Sequence, residues 1–145
     1  MDHQNILIQQ FDTKDRYYDT KSYKYNTIQI NIGIEDNQYI NASPINIIKE
    51  KYFISTQGPK ENIVEDFWTI VDGQKCRVIV MLFNLEELGR ENCAKYWHKN
   101  MIKYTIKIEK EIYIIRNFTL INNQTKKEKK IVQIYFQGWP DHMYF

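Results

Sequence analysis

The chain has 145 residues, enough for one core and too few for two ordinary domains. Apolar residues make up 43% and charged residues 26%, which excludes disorder, and a net charge of +2 with interspersed signs gives no case for nucleic acid or an anionic membrane as partner. Two cysteines, Cys76 and Cys93, do not make a disulfide framework, and no apolar run approaches the roughly twenty residues of a membrane span or follows a basic leader.

In chain order, Tyr39 to Ile45 and Lys51 to Thr56 are short β-prone runs separated by Asn46 to Glu50, predicting two strands on one side of a sheet. Gly58-Pro59 then marks a turn. Ile63, Phe67, Ile70 and Val71 recur at i, i+4, i+7 and i+8. With Asn62 as N-cap, Glu65 three residues on and Gly73 near the end, this predicts a helix over Ile63 to Gln74. Arg77 to Phe83 runs Val, Ile, Met, Leu and Phe without helical spacing, which predicts a buried central strand. Tyr104 to Lys110, Tyr113 to Ile121 and Ile131 to Phe136 predict a three-stranded antiparallel meander that delivers the chain to Gly138-Trp139-Pro140-Asp141. These elements define an α+β fold, a mixed and mainly antiparallel sheet with flanking helices, as a single unit over 1–145.

Six segments carry a further signal: Lys14-Asp15-Arg16-Tyr17, Tyr39-Ile40-Asn41-Ala42-Ser43, Thr56-Gln57-Gly58-Pro59, Asp66-Phe67-Trp68, Cys93-Ala94-Lys95-Tyr96-Trp97 and Trp139-Pro140-Asp141-His142. In this order the chain resembles the catalytic domain of the classical tyrosine-specific protein phosphatases. The resemblance implies that most of these residues are structural, with Phe67, Trp68, Tyr96 and Trp97 in the core.

The resemblance assigns Tyr17 to the wall of a deep pocket, packed against a phosphotyrosyl ring, and Asp19 to the backbone N–H groups of a bound peptide. It makes Asp141 the general acid and base of a loop supported by Trp139 and Pro140, protonating the departing tyrosyl oxygen. Glu87, in Glu86-Glu87-Leu88-Gly89, would pair with an arginine of the phosphate-binding loop. Taken alone, Tyr17 and Asp19 fit a solvated loop equally well, Gly-Trp-Pro-Asp is also good turn chemistry, and Glu86-Glu87 reads as a solvated turn. Asp15 stands where the family usually has Asn, Asn92 where it has Lys, and Lys24 and Thr27 where it has Asp and Arg.

The family's nucleophile is a cysteine preceded by His and followed six positions later by Arg. Six positions after Cys76 is Leu82 and six after Cys93 is Lys99, and neither follows His. Both therefore read as small buried apolar residues, and the chain as the front part of such a domain without its nucleophile. The implied activity is dephosphorylation of phosphotyrosine in proteins through a cysteinyl-phosphate. The alternative is an inactive relative that binds phosphotyrosyl peptides or another protein. No cofactor or metal is implied, the partner is a phosphotyrosine-containing protein or peptide, and the expected location is cytoplasmic, free or as part of a larger receptor-type protein.

Overall fold

The computed structural model describes residues 13–30, 39–48, 51–98, 102–122 and 125–139. The chain divides into two compact units, Met1–Ile70 and Val71–Phe145.

In the first unit, β1 (Ala42–Ile48) and β2 (Lys51–Thr56) form an antiparallel hairpin with Ala42 opposite Thr56 and a bulge between Ile45 and Ile48. The second of these runs has the predicted bounds, but the first begins at Ala42 rather than Tyr39 and extends to Ile48, with Tyr39 only in an isolated bridge to Gln29. The pair does not join the larger sheet; it is a two-stranded sheet of its own. Its apolar side supports a small core of Ile28, Ile30, Ile40, Ala42 and Ile70, with Ile54 packed against it. Removing such branched side chains from water supplies the main driving force for a unit of this size.

The predicted helix is α1 (Val64–Gly73), preceded by a 3-10 turn at Glu61–Ile63. All four residues of the predicted stripe, Ile63, Phe67, Ile70 and Val71, are buried. Asn62 is not an N-cap: its side-chain amide donates to the Thr13 carbonyl at 3.2 Å, a tertiary contact that outcompetes the local one. At the other end Lys75 N–H donates to the Asp72 carbonyl and Cys76 N–H to the Val71 carbonyl, with Lys75 at φ 54°. That is a Schellman closure with lysine where glycine is usual. The Lys129 ammonium donates to the Val71 and Asp72 carbonyls at 3.1 and 3.0 Å, so a cation covers the negative end of the helix.

The second unit holds a four-stranded mixed sheet in the order β3-β8-β7-β6, built from β3 (Val78–Met81), β6 (Ile102–Glu109), β7 (Tyr113–Ile121) and β8 (Glu128–Phe136). β6, β7 and β8 are the expected antiparallel meander. Burial alternates along β7, with Ile114, Arg116, Phe118 and Leu120 inward, which is the period-2 signature of a sheet covered on one face.

β3 departs from expectation. It pairs in parallel with β8 and is an edge strand among the described residues, with Val78 and Val80 more than half exposed. An uninterrupted apolar run specifies a strand compatible with cover on both faces, but the cover must come from other elements. Here only the face carrying Met81 is buried.

A short hairpin, β4 (Glu86–Glu87) and β5 (Arg90–Glu91), turns through Leu88 and Gly89 at φ 51° and 75°. Two successive positive φ values match the twist of a primed hairpin turn.

Candidate functional site

The loop bearing Tyr17 and Asp19 is held at its base by the segments that resemblance assigned to structure. The Gln57 side chain works in both directions: its amide nitrogen donates to the Lys14 carbonyl at 2.7 Å and its oxygen accepts from Arg16 N–H at 2.9 Å. The Arg16 guanidinium donates to the Gly58 and Pro59 carbonyls, both at 3.1 Å. Lys60 reaches the Thr13 carbonyl at 2.7 Å. Farther along, Asn41 Nδ2 donates to the Thr20 carbonyl at 2.6 Å, and Ser22 Oγ donates to Asn41 Oδ1 at 2.8 Å. These side-chain ties satisfy backbone groups of the loop that no sheet ladder pairs.

Under this brace lie charges. Lys14 is 7% exposed and Asp15 6%. The Lys14 ammonium pairs with Asp66 Oδ2 at 2.7 Å and donates to the Tyr39 carbonyl. The Tyr39 hydroxyl donates to Asp15 Oδ1 at 2.7 Å, and Lys21 Nζ lies 3.9 Å from Asp15 Oδ2. Burial, reinforced by the Asp15 carboxylate, pushes the Tyr39 phenol well above its ordinary range. Asp15 thus occupies its position as an acceptor that a tyrosine and a lysine converge upon. Thr27 donates weakly to the Ile40 carbonyl at 3.3 Å; the substitution adds a tie to the neighbouring strand.

The outward side is different in character. Tyr17 is 48% exposed, Tyr18 85%, and Asp19 is exposed. Lys21 Nζ sits 5.1 Å from the centre of the Tyr18 ring, a cation–π contact beside Tyr17.

In the second unit, Glu87 stands on the β4–β5 hairpin and its carboxylate accepts from Asn84 Nδ2 at 2.6 Å. Trp139 is exposed, three residues beyond the end of β8. Just before it, Gly138 leaves room for Phe136, whose ring atom would lie 2.9 Å from any Cβ placed there. Pro140 and Asp141 lie outside the described residues.

Of the two cysteines expected to be buried, Cys93 is, whereas Cys76 is only partly buried. Cys93 is 2% exposed with its thiol directed at the Ala94 carbonyl, and burial raises the Cys76 thiol above its ordinary value. Among the described residues no cluster of three or more His, Cys, Asp or Glu side chains could hold a metal ion, and no helix is long and apolar enough to cross a membrane.

A buried polar group went unnoticed in the sequence reading. The Arg116 guanidinium lies over the rings of Trp97 and Tyr135, 4.7 and 5.3 Å from their centres, and donates to Gln133 Oε1 at 2.7 Å. Gln133 Nε2 in turn donates to the Tyr96 hydroxyl. The available signal was phase: Arg116 shares the inward register of Ile114, Phe118 and Leu120.

The mixed sheet and the single helix among the described residues make this an α+β fold. The model of the protein-tyrosine phosphatase family matches residues 11–144. The chain is 35% identical over 139 residues to human receptor-type tyrosine-protein phosphatase alpha, covering 88% of this chain and 17% of that protein. It is 36% identical over 144 residues to human receptor-type tyrosine-protein phosphatase C, covering 89% and 11%. The solved catalytic domain of human protein tyrosine phosphatase non-receptor type 18 superposes with a TM-score of 0.77 at 26% identity, over 89% of this chain and 50% of that one. The chain therefore belongs to the protein-tyrosine phosphatase family. It spans less than a fifth of the length of these receptor-type relatives and half of that solved domain.

Proposed function

We propose that this chain supplies the phosphotyrosine-recognition and general-acid part of a protein-tyrosine phosphatase domain. What supports the reading is the loop of residues 13–22: its base is buried and hydrogen-bonded to Gln57, Gly58, Pro59 and Asn41, while Tyr17 and Asp19 face solvent. Binding residues are commonly carried on loops that a rigid scaffold positions, as this one is. In this reading Tyr17 packs along the substrate's ring and Asp19 accepts from peptide N–H groups. Asp141 donates a proton to the leaving tyrosyl oxygen, carried on a loop that Trp139 and Pro140 support. Glu87 orients an arginine of a phosphate-binding loop. The thiolate attacks phosphorus, the P–O bond to tyrosine breaks, and water then releases phosphate from sulfur. In this reading neither Cys76 nor Cys93 supplies that thiolate, since neither has the His-Cys and following Arg spacing of the family's loop.

The setting of Cys76 and Cys93 also favours a second reading for the 145 residues by themselves: recognition of a phosphotyrosyl peptide without turnover. The experiment is to produce the chain alone and joined in frame to a segment supplying His-Cys-x-x-Gly-x-x-Arg, then measure hydrolysis of a phosphotyrosyl peptide. The proposal expects turnover only in the joined form, with Tyr17→Ala raising KM and Asp141→Asn lowering kcat about a hundredfold or more. Unchanged kinetics in both variants would refute the assigned roles.

A further inference from the structure

Asn84 lies at the foot of the acidic hairpin, and its two amide ends are engaged by different partners. Its oxygen accepts from the Tyr135 hydroxyl at 2.8 Å, and its nitrogen donates to Glu87 Oε1 at 2.6 Å. The carboxylate fixes the amide orientation, because it only accepts and so must face the Asn84 nitrogen, leaving the oxygen to the Tyr135 hydroxyl. Behind it, the Arg116 guanidinium lies over the Tyr135 and Trp97 rings and donates to Gln133 Oε1. Among the described residues no carboxylate lies within ion-pair distance of Arg116. Its charge is accommodated by two ring faces and an amide oxygen. Gln133 is fully buried, and the Tyr96 hydroxyl and Met81 Sδ close off its amide nitrogen. From Gln133 to Glu87 every link is a directional contact whose far end sits in the core.

The geometry points to Asn84 as a positioning residue that sets the direction of the Glu87 carboxylate by tying the Glu86–Glu91 hairpin to β8 through Tyr135. A two-residue-per-strand hairpin with a fully solvated Leu88 at its tip has little packing of its own to fix a carboxylate. A carboxylate that meets a guanidinium fork gains from being held in one orientation, and the Asn84 amide is one of the groups that hold it. That use of Glu87 rests on the phosphatase reading. The positioning does not, so its test measures the hairpin and not turnover, and either can fail alone.

The test is amide hydrogen exchange and side-chain amide NMR on the 145-residue chain. Asn84→Asp keeps shape and the acceptor toward Tyr135 but turns a carboxylate oxygen on Glu87. The expected result is exchange about tenfold faster at Glu87 to Asn92, including the Asn92 amide that donates to the Leu85 carbonyl, with β7 amides unchanged. Glu87→Gln and Tyr135→Phe should each shift the Asn84 side-chain amide resonances, and Tyr135→Phe should loosen the same hairpin amides. A space-filling role alone would leave the isosteric Asn84→Asp protein with the native exchange pattern, and that result overturns the proposal. Loss of protection throughout β7 and β8 in Asn84→Asp would also overturn it, because Asn84 would then serve the whole fold.

Discussion

The Lys14 ammonium and the Asp66 carboxylate meet at 2.7 Å although 52 positions separate them, joining the loop that carries Tyr17 to the first turn of α1. Their side chains are 9% and 15% exposed, so this pair is largely desolvated. Removing one partner of such a pair costs about 3–5 kcal/mol, far more than the pair contributes over two apolar residues. Asp66→Asn is expected to lower stability by about that amount in urea titrations, and Lys14→Met with Asp66→Leu to recover much of it.

Tyr39, Tyr96 and Tyr135 all hold their protons more tightly than ordinary tyrosines, in each case first because burial disfavours the phenolate. For Tyr39 the Asp15 carboxylate adds to burial; for Tyr96 the Gln133 hydrogen bond opposes it. A raised folded pKa contributes stability that is complete below the unfolded value, about 10, and is lost as pH rises toward the folded value. Melting temperature should therefore be flat across neutral pH and fall above about pH 10. Tyr39→Phe removes one of the groups and should make that fall shallower while lowering the plateau, since Asp15 loses a donor.

Three non-glycine residues among those described, Lys75, Leu88 and Lys126, occupy the left-handed region, and two of them lend themselves to a test. Leu88 at φ 51° is 97% exposed, and Lys75 at φ 54° is exposed at the end of α1. An L-residue pays roughly 1 kcal/mol there. Leu88→Asn and Lys75→Gly should each raise stability by about 0.5–1 kcal/mol, read as a shift in the urea midpoint at constant slope. A loss of stability in either would show that the side chain contributes more than its backbone strain.

Among the described residues Val78 and Val80 share the uncovered face of edge strand β3 and are 52% and 58% exposed. Two neighbouring valines beside an open strand edge favour association between chains. The 145-residue chain is expected to self-associate as its concentration rises in size-exclusion chromatography. Val80→Lys should delay this without changing the far-ultraviolet circular dichroism.

Hydrolysis by the 145 residues alone should be absent, since a general acid contributes roughly a hundredfold to ten-thousandfold only when there is a nucleophile to assist. Cys93→Ser and Cys76→Ser should leave phosphotyrosyl-peptide hydrolysis at background. Any turnover abolished by either substitution would place the nucleophile within this chain.

Much of the local architecture was legible because it depends on period and order. The stripe Ile63, Phe67, Ile70 and Val71 marked α1, and alternation along Tyr113 to Ile121 marked a strand whose inward residues are those found buried. Motif order identified the family before any fold was drawn. Tertiary structure alone decided three things. Asn62 left its capping role for Thr13, because a long-range acceptor became available only once the loop had docked. The run from Arg77 to Phe83 became an exposed edge, since hydrophobicity states what a strand can bury and neighbours decide what covers it. Arg116 became tolerable inside because Trp97, Gln133 and Tyr135, spread over nearly forty positions, converge on one guanidinium. Sequence expresses propensity residue by residue, whereas the stability of a buried charge depends on partners that only the folded chain brings within reach.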